Sequence, residues 1–348
     1  MPLRKGLEKK MALTINTNIS SLIAQRNLNS ATNALNTSIE RMTTGYKINH
    51  AADNAAGYSI ANMWETQLGS LDVAADNAAT GGDMLTTAEE TYGLLTSHLQ
   101  RVRDLAEQAA NGTYGSQSLR AIQSEVVARL QEVDRIAANA EFNGIKLMSY
   151  TGANDGSGIK STGVNLQVGL YGDANSTIVL GTDLFADASV GGIFADLATP
   201  TGSTALATLL SGAGLADKND LSSNDADTKT KALESFAAAC CGMKYDPDDG
   251  TLTLTDTSAK EMLAYLDAGI NEISGRVTRI GAAQNRVESA LSALDVQSQN
   301  ITSSLSTLRD TDVAEESSNY IQAQILQQAS ATLLSTANQL PSIALNLI

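Results

Sequence analysis

Proline, cysteine, histidine, aromatic side chains and positive charge are all scarce in this chain, and each scarcity closes off a class of structure or chemistry. Proline occurs only at Pro2, Pro200, Pro247 and Pro341, so nearly two hundred consecutive residues lack the strongest helix breaker. Long uninterrupted helices are therefore permitted. Aromatics make up 4% of the residues against 43% hydrophobics overall, so apolar surface comes mainly from Ala, Leu, Ile and Val, which suit close helix packing in bundles or coiled coils. The only cysteines are the neighbours Cys240 and Cys241, and adjacent residues rarely reach unstrained disulfide geometry, so they read as buried small hydrophobes. His50 and His98 lie far apart without metal-site spacing, which leaves surface or packing roles and no metal site. The net charge of −15 repels nucleic acid, and no stretch approaches the roughly 20 apolar residues of a membrane helix. Neither nucleic acid nor membrane is an expected partner. No apolar signal core occurs near the start, and the basic residues 1–10 before Met11 read as an extra or non-native leader.

What the chain does contain is helical periodicity at both ends. Ile15, Ile19 and Leu22, followed by Leu28, Ala31, Leu35, Ile39 and Met42, recur mostly every three or four positions, and Gly45 follows as a terminator. A second helix is predicted from Gly57 to about Asn111, with Asn111-Gly112 as its cap, and Leu119, Ile122, Val126, Leu130, Val133 and Ile136 mark a third. Between residues 140 and 185 the pattern shortens and alternates, with Asn143-Gly144 as a hairpin signal. Residues 186–256 hold eleven acids against four lysines, a local balance of −7, and read as a separate solvated unit with a turn at Asp246–Gly250. Helical spacing returns with Met262, Leu266, Ile270 and Ile273. It runs to a break at Asp310–Asp312, and a last stripe carries Ile321, Ile325, Ala329, Leu333, Ala337 and Leu340 before Pro341.

The predicted class is mainly α: a long antiparallel helical bundle or coiled coil formed by the N- and C-terminal segments, with a small β-region and a short variable outer domain. The expected division is 11–55 with 300–348 as terminal helices, 56–185 with 257–299 as a helical domain with its β-hairpins, and 186–256 as the surface-exposed domain. Six large apolar residues on a terminal stripe return less free energy than ordering some forty residues of backbone costs. Ile15, Ile19, Leu22, Leu35, Ile39, Ile321, Ile325, Leu333 and Leu340 must therefore pack on each other or on neighbouring molecules.

The blocks Ile15–Asn18 (INTN), Ile39–Gly45 (IERMTTG), Ala51–Gly57 (AADNAAG), Leu99–Gly112 (LQRVRDLAEQAANG) and Glu141–Leu147 (EFNGIKL) closely resemble the N-terminal region of bacterial flagellins. Gly281–Arg286 (GAAQNR), Ala323–Ala329 (AQILQQA) and Ala337-Asn338-Gln339 resemble its C-terminal region. The likeness covers about residues 11–170 and 260–348. It implies a structural, non-enzymatic subunit that self-assembles into an extracellular flagellar filament for motility, secreted through the flagellar export channel. The implied partners are further copies of the chain, an export chaperone, and cap and hook-junction proteins. A hook-filament junction protein, which shares the terminal helices, is the alternative reading. The resemblance also places a Toll-like receptor 5 epitope on Gln100, Arg101, Leu105 and Glu125.

Patterns that suggest chemistry have plainer readings, and no cofactor is expected. Gly152–Ser161 lacks the Gly-Lys-Ser/Thr ending of a phosphate loop, and aligning Asp246–Asp256 as a calcium loop puts Tyr245 and Pro247 at ligand positions. Asn111-Gly112-Thr113 and Asn175-Ser176-Thr177 match a glycosylation tripeptide, a weak signal. Trp64 and Tyr58 read as helix packing.

Overall fold

The structure is a computed structural model and describes residues 18–149, 159, 162–196, 226–245, 252–254 and 258–346. The basic leader, Ile15, most of the glycine-rich loop after Tyr150 and the turn at Asp246–Gly250 lie outside the described residues. The chain divides into two compact units, one built from its two ends up to Gly69 and from Ser298, the other from Ser70–Gln297.

In the first unit, α1 (Ile19–Thr44) and α7 (Val313–Asn346) lie side by side. Asn18 caps α1, its Oδ1 accepting the Ser21 N–H at 3.1 Å. Gly45 ends the helix at φ +78°, a left-handed conformation that costs glycine no Cβ clash, and its N–H returns to the Arg41 carbonyl at 2.8 Å. Asp312 starts α7 by accepting from the Ala314 N–H at 2.8 Å. The helix continues past Pro341, which the sequence reading places at its end. The connectors after α1 and before α7 are zipped together. Tyr46 bridges Asp310, Lys47 N donates to Arg309 O at 2.7 Å, and Thr311 N donates to Gly45 O at 2.9 Å. The Arg309 guanidinium stacks 4.1 Å from the Tyr46 ring centroid and pairs with Glu65. Beside this clasp, the backbone N–H groups of His50 and Asn49 hold the Asp53 carboxyl below the usual carboxylate range.

The second unit is built on residues 70–109 of α2 (Ala55–Ala109) and the antiparallel residues 258–297 of α6 (Ser258–Arg309), with α3 (Ser116–Asn139) turning back from α2. Arg103 pairs with Asp267 at 2.5 Å and Gln284 donates to Glu89 at 2.8 Å, which fixes the α2–α6 register. Gly112 does not take a left-handed conformation, so the end of α2 is no glycine cap; its last carbonyls are met by Ala110 N and Asn111 N in a tightened turn.

Three antiparallel hairpins follow: β1 (Glu141–Phe142) with β2 (Ile145–Lys146), β3 (Val164–Gln167) with β4 (Thr177–Leu180), and β5 (Met243–Tyr245) with β6 (Leu252–Leu254). The first turns on Asn143 at φ +49° and Gly144 at φ +78°, as Asn-Gly dictates.

The stretch read as a separate solvated unit instead supplies α4 (Val190–Asp196) and α5 (Ala226–Cys240) to the core of this second unit. Phe236, Ala237, Ala238, Ala239 and Cys240 are buried with Val126 and Leu130 of α3, and Phe194 and Phe236 pack 5.0 Å apart. The acidic composition hid one apolar helix face. At the centre Arg276 is 1% exposed. Its guanidinium donates to the carbonyls of Ala186 and Asp187 and to Glu272, and the Tyr92 hydroxyl donates to Leu184 O at 3.0 Å. Burial pushes the Tyr92 phenol up, against the pull of Arg276 beside it.

Candidate assembly surface

Small residues, with Glu316 as the exception, face inward along the α1–α7 seam. Ala24, Ala31 and Ser38 of α1 are buried, seven residues apart, and Glu316, Ala323, Ser330 and Ala337 repeat the same interval on α7. A seven-residue repeat keeps one seam in contact along two helices. Short side chains there let the Cα traces approach within 8 Å. Polar ties fix the antiparallel register: Asn18 Nδ2 donates to Ala337 O at 2.7 Å, Ser21 Oγ bonds Asn338 Oδ1 at 2.7 Å, and Gln327 Nε2 donates to Thr32 Oγ1 at 3.2 Å. Arg41 lies 3.8 Å from the buried Glu316.

The large apolar residues consequently point outward. Ile19, Leu22 and Ile39 on α1, and Ile321, Ile325 and Leu333 on α7, are exposed, Leu333 by 61%. Leu35 is half-buried, and the side chain of Leu340 lies outside the described set. Ile23, Met42 and Leu326 are exposed as well, although the sequence reading did not single them out for assembly. A groove of about 700 Å³ is lined by residues of both helices, among them Ala31 and Ala34 of α1 and Ala323, Leu326 and Leu333 of α7. Monomers rarely leave so many large apolar side chains in one region uncovered.

On the second unit, Arg101 Nε and Nη2 reach Glu125 Oε1 at 3.0 and 2.9 Å, joining α2 to α3 on an exposed face that Gln100 shares. Leu105 does not join them. It is 2% exposed and belongs to the core beneath.

No group of three or more His, Cys, Asp or Glu side chains able to hold a metal occurs among the described residues. Burial pushes the Cys240 thiol well up and that of Cys241 up to about 12, so neither supplies a thiolate at neutral pH.

Residues 15–153 match the family described as bacterial flagellin N-terminal helical region, and residues 263–348 match the bacterial flagellin C-terminal helical region. The chain belongs to the bacterial flagellin family. Polar flagellin F of Vibrio parahaemolyticus is 33% identical, with 97% of this chain and 100% of that protein covered. Flagellin C of Vibrio cholerae is 34% identical over the same shares. A crystal structure of Bacillus cereus flagellin aligns at 20% identity and a TM-score of 0.38, covering 63% of this chain and 88% of that one. Flagellins are structural subunits of the flagellar filament rather than enzymes. No helix among the described residues is long and apolar enough to cross a membrane.

Proposed function

We propose that this flagellin self-assembles through the outward faces of α1 and α7 into a secreted, extracellular filament used for motility. The observation that carries this reading is the division of labour on the terminal helices. The hairpin is closed by small residues, which leaves Ile19, Leu22, Ile39, Ile321, Ile325 and Leu333 free for other copies. An exposed patch repeated on every subunit, contacting a different patch on the next, generates an open helical polymer. Ile15 and Leu340 extend the same stripes in sequence. The terminal segments 11–55 and 300–348 thus form the inner layer, with the chain exported before it folds. An export chaperone, a cap and hook-junction proteins are its partners along that route. Seeded polymerisation viewed by electron microscopy tests this. The full chain should form long filaments, and deletion of residues 310–348 should abolish them while the second unit stays folded. A hook-junction protein would share the terminal helices but form no long filament.

The exposed Gln100, Arg101 and Glu125 cluster is proposed as the monomer's contact with Toll-like receptor 5, with Leu105 supporting it from within the core. An interface arginine with a planar donor fork is a common hot spot. Arg101→Ala should weaken receptor binding by roughly 2 kcal/mol, about thirtyfold. Equal binding by the two folded proteins would refute the contact.

A further inference from the structure

We propose that Asn111 is a site of spontaneous deamidation, converting to aspartyl and isoaspartyl forms in the folded protein, while the chain's other Asn-Gly pair is protected by its turn. Asn-Gly is the sequence pair most open to this chemistry, because glycine has no side chain to hinder approach of its nitrogen to the asparagine amide. The chain has two such pairs, Asn111-Gly112 and Asn143-Gly144, and all four residues are exposed. Their backbones differ.

Asn111 and Gly112 lie in the turn between α2 and α3, held by two long backbone bonds, Asn111 N to Gln108 O at 3.2 Å and Tyr114 N to Asn111 O at 3.4 Å, and spanned by one exposed side-chain bond from Gln108 Nε2 to the Tyr114 hydroxyl at 3.0 Å. No backbone acceptor among the described residues takes the Gly112 N–H. That nitrogen is free to lose its proton to water and attack Asn111 Cγ. A new N–C bond closes a five-membered imide, and the side-chain nitrogen departs as ammonia. Water then opens either imide carbonyl, giving the aspartyl or the isoaspartyl product. The balance is one water consumed and one ammonia released, which takes up the acid's proton as ammonium, so a neutral amide becomes a carboxylate.

Closing that ring requires the asparagine backbone to rotate so that Cγ meets the next nitrogen. At Asn143 this rotation is opposed. Asn143 and Gly144 both hold positive φ, the pairs Phe142–Ile145 and Glu141–Lys146 flank them, and Leu147 N donates to Ala140 O at 2.9 Å. Lys146 Nζ to Glu141 Oε2 at 2.9 Å closes the same hairpin from its side chains. The imide would break this ladder, whereas the turn at Asn111 has neither positive φ nor strand pairing to oppose the rotation, and the Gln108–Tyr114 bond across it joins two exposed side chains.

The test ages the folded full chain at neutral pH and physiological temperature, digests it with trypsin, and follows the fragments Asp104–Arg120 and Ile136–Lys146 by mass and by isoaspartyl methyltransferase labelling. The first fragment should convert severalfold faster than the second. In guanidinium the two should convert at comparable rates. Gly112→Ala meets open space and no positive φ, so the fold tolerates it, and it should suppress conversion of the first fragment alone. Equal rates in the folded chain, faster conversion at Asn143, or a difference that persists in guanidinium would overturn the proposal.

Discussion

Replacing Ile325 and Leu333 together by serine separates folding from assembly. Ile325 and Leu333 are 60% and 61% exposed in the single chain, so polar replacements remove little intramolecular packing and should leave monomer helicity unchanged. The proposed assembly covers the remaining area. Full burial of such a side chain contributes about 1.5–3 kcal/mol, so covering the exposed three-fifths contributes roughly 1–2 kcal/mol each, or about 2–4 kcal/mol for the pair. At 1.4 kcal/mol per tenfold, the critical concentration should rise by roughly thirtyfold to several hundredfold. Sedimentation of seeded reactions across a concentration series measures it directly. A double variant that polymerises at the wild-type critical concentration would show that these side chains face solvent in the filament, and the reasoning from exposure would fail.

The interior of the second unit makes two further predictions. Arg276→Ala strands three acceptors, including two backbone carbonyls, and should cost about 3–5 kcal/mol by urea denaturation; a loss below about 1 kcal/mol would refute the role given to the buried guanidinium. Asp134 is desolvated by burial, which raises its pKa above the ordinary 3.8 against the opposing pull of the Val190 N–H at 2.8 Å and of Lys229 at 3.1 Å. Its folded pKa exceeds its unfolded one, so its stabilising contribution is present below the unfolded pKa and is lost as pH rises through the folded value. Asp134→Asn keeps an oxygen for Val190 and should flatten that part of the stability–pH curve; a wild-type-to-variant difference that does not change with pH would contradict it.

The helices and the first hairpin were legible because their signals are local. Gly45 ends α1 as read, Asn143-Gly144 dictates its own turn, and the three-to-four-residue spacing of large side chains marks each helix, although the Asn18 cap that starts α1 was not singled out. Which side of a helix turns inward was not local. Ala31 and Ala337 stood in the apolar stripes, but Ala24, Ser38, Ala323 and Ser330, which complete the two buried heptads, did not, because periodicity weighted by large apolar residues gives small ones little weight. The resemblance places Arg101 and Leu105, one turn apart, in one epitope, yet a 100° advance per residue leaves them about 40° apart, enough to put one in solvent and the other in the core. The burial of α5 depended on long-range contact with α3, which its acidic flanks concealed.

The central claim, that the outward apolar faces of α1 and α7 are the assembly contacts, is tested most directly by maleimide labelling of Leu333→Cys in monomer and in filament. The native Cys240 and Cys241 are buried and contribute little background. The account predicts rapid labelling of the monomer and strong protection once the subunit is polymerised. Equal labelling in both states, with filaments verified by electron microscopy, would contradict it.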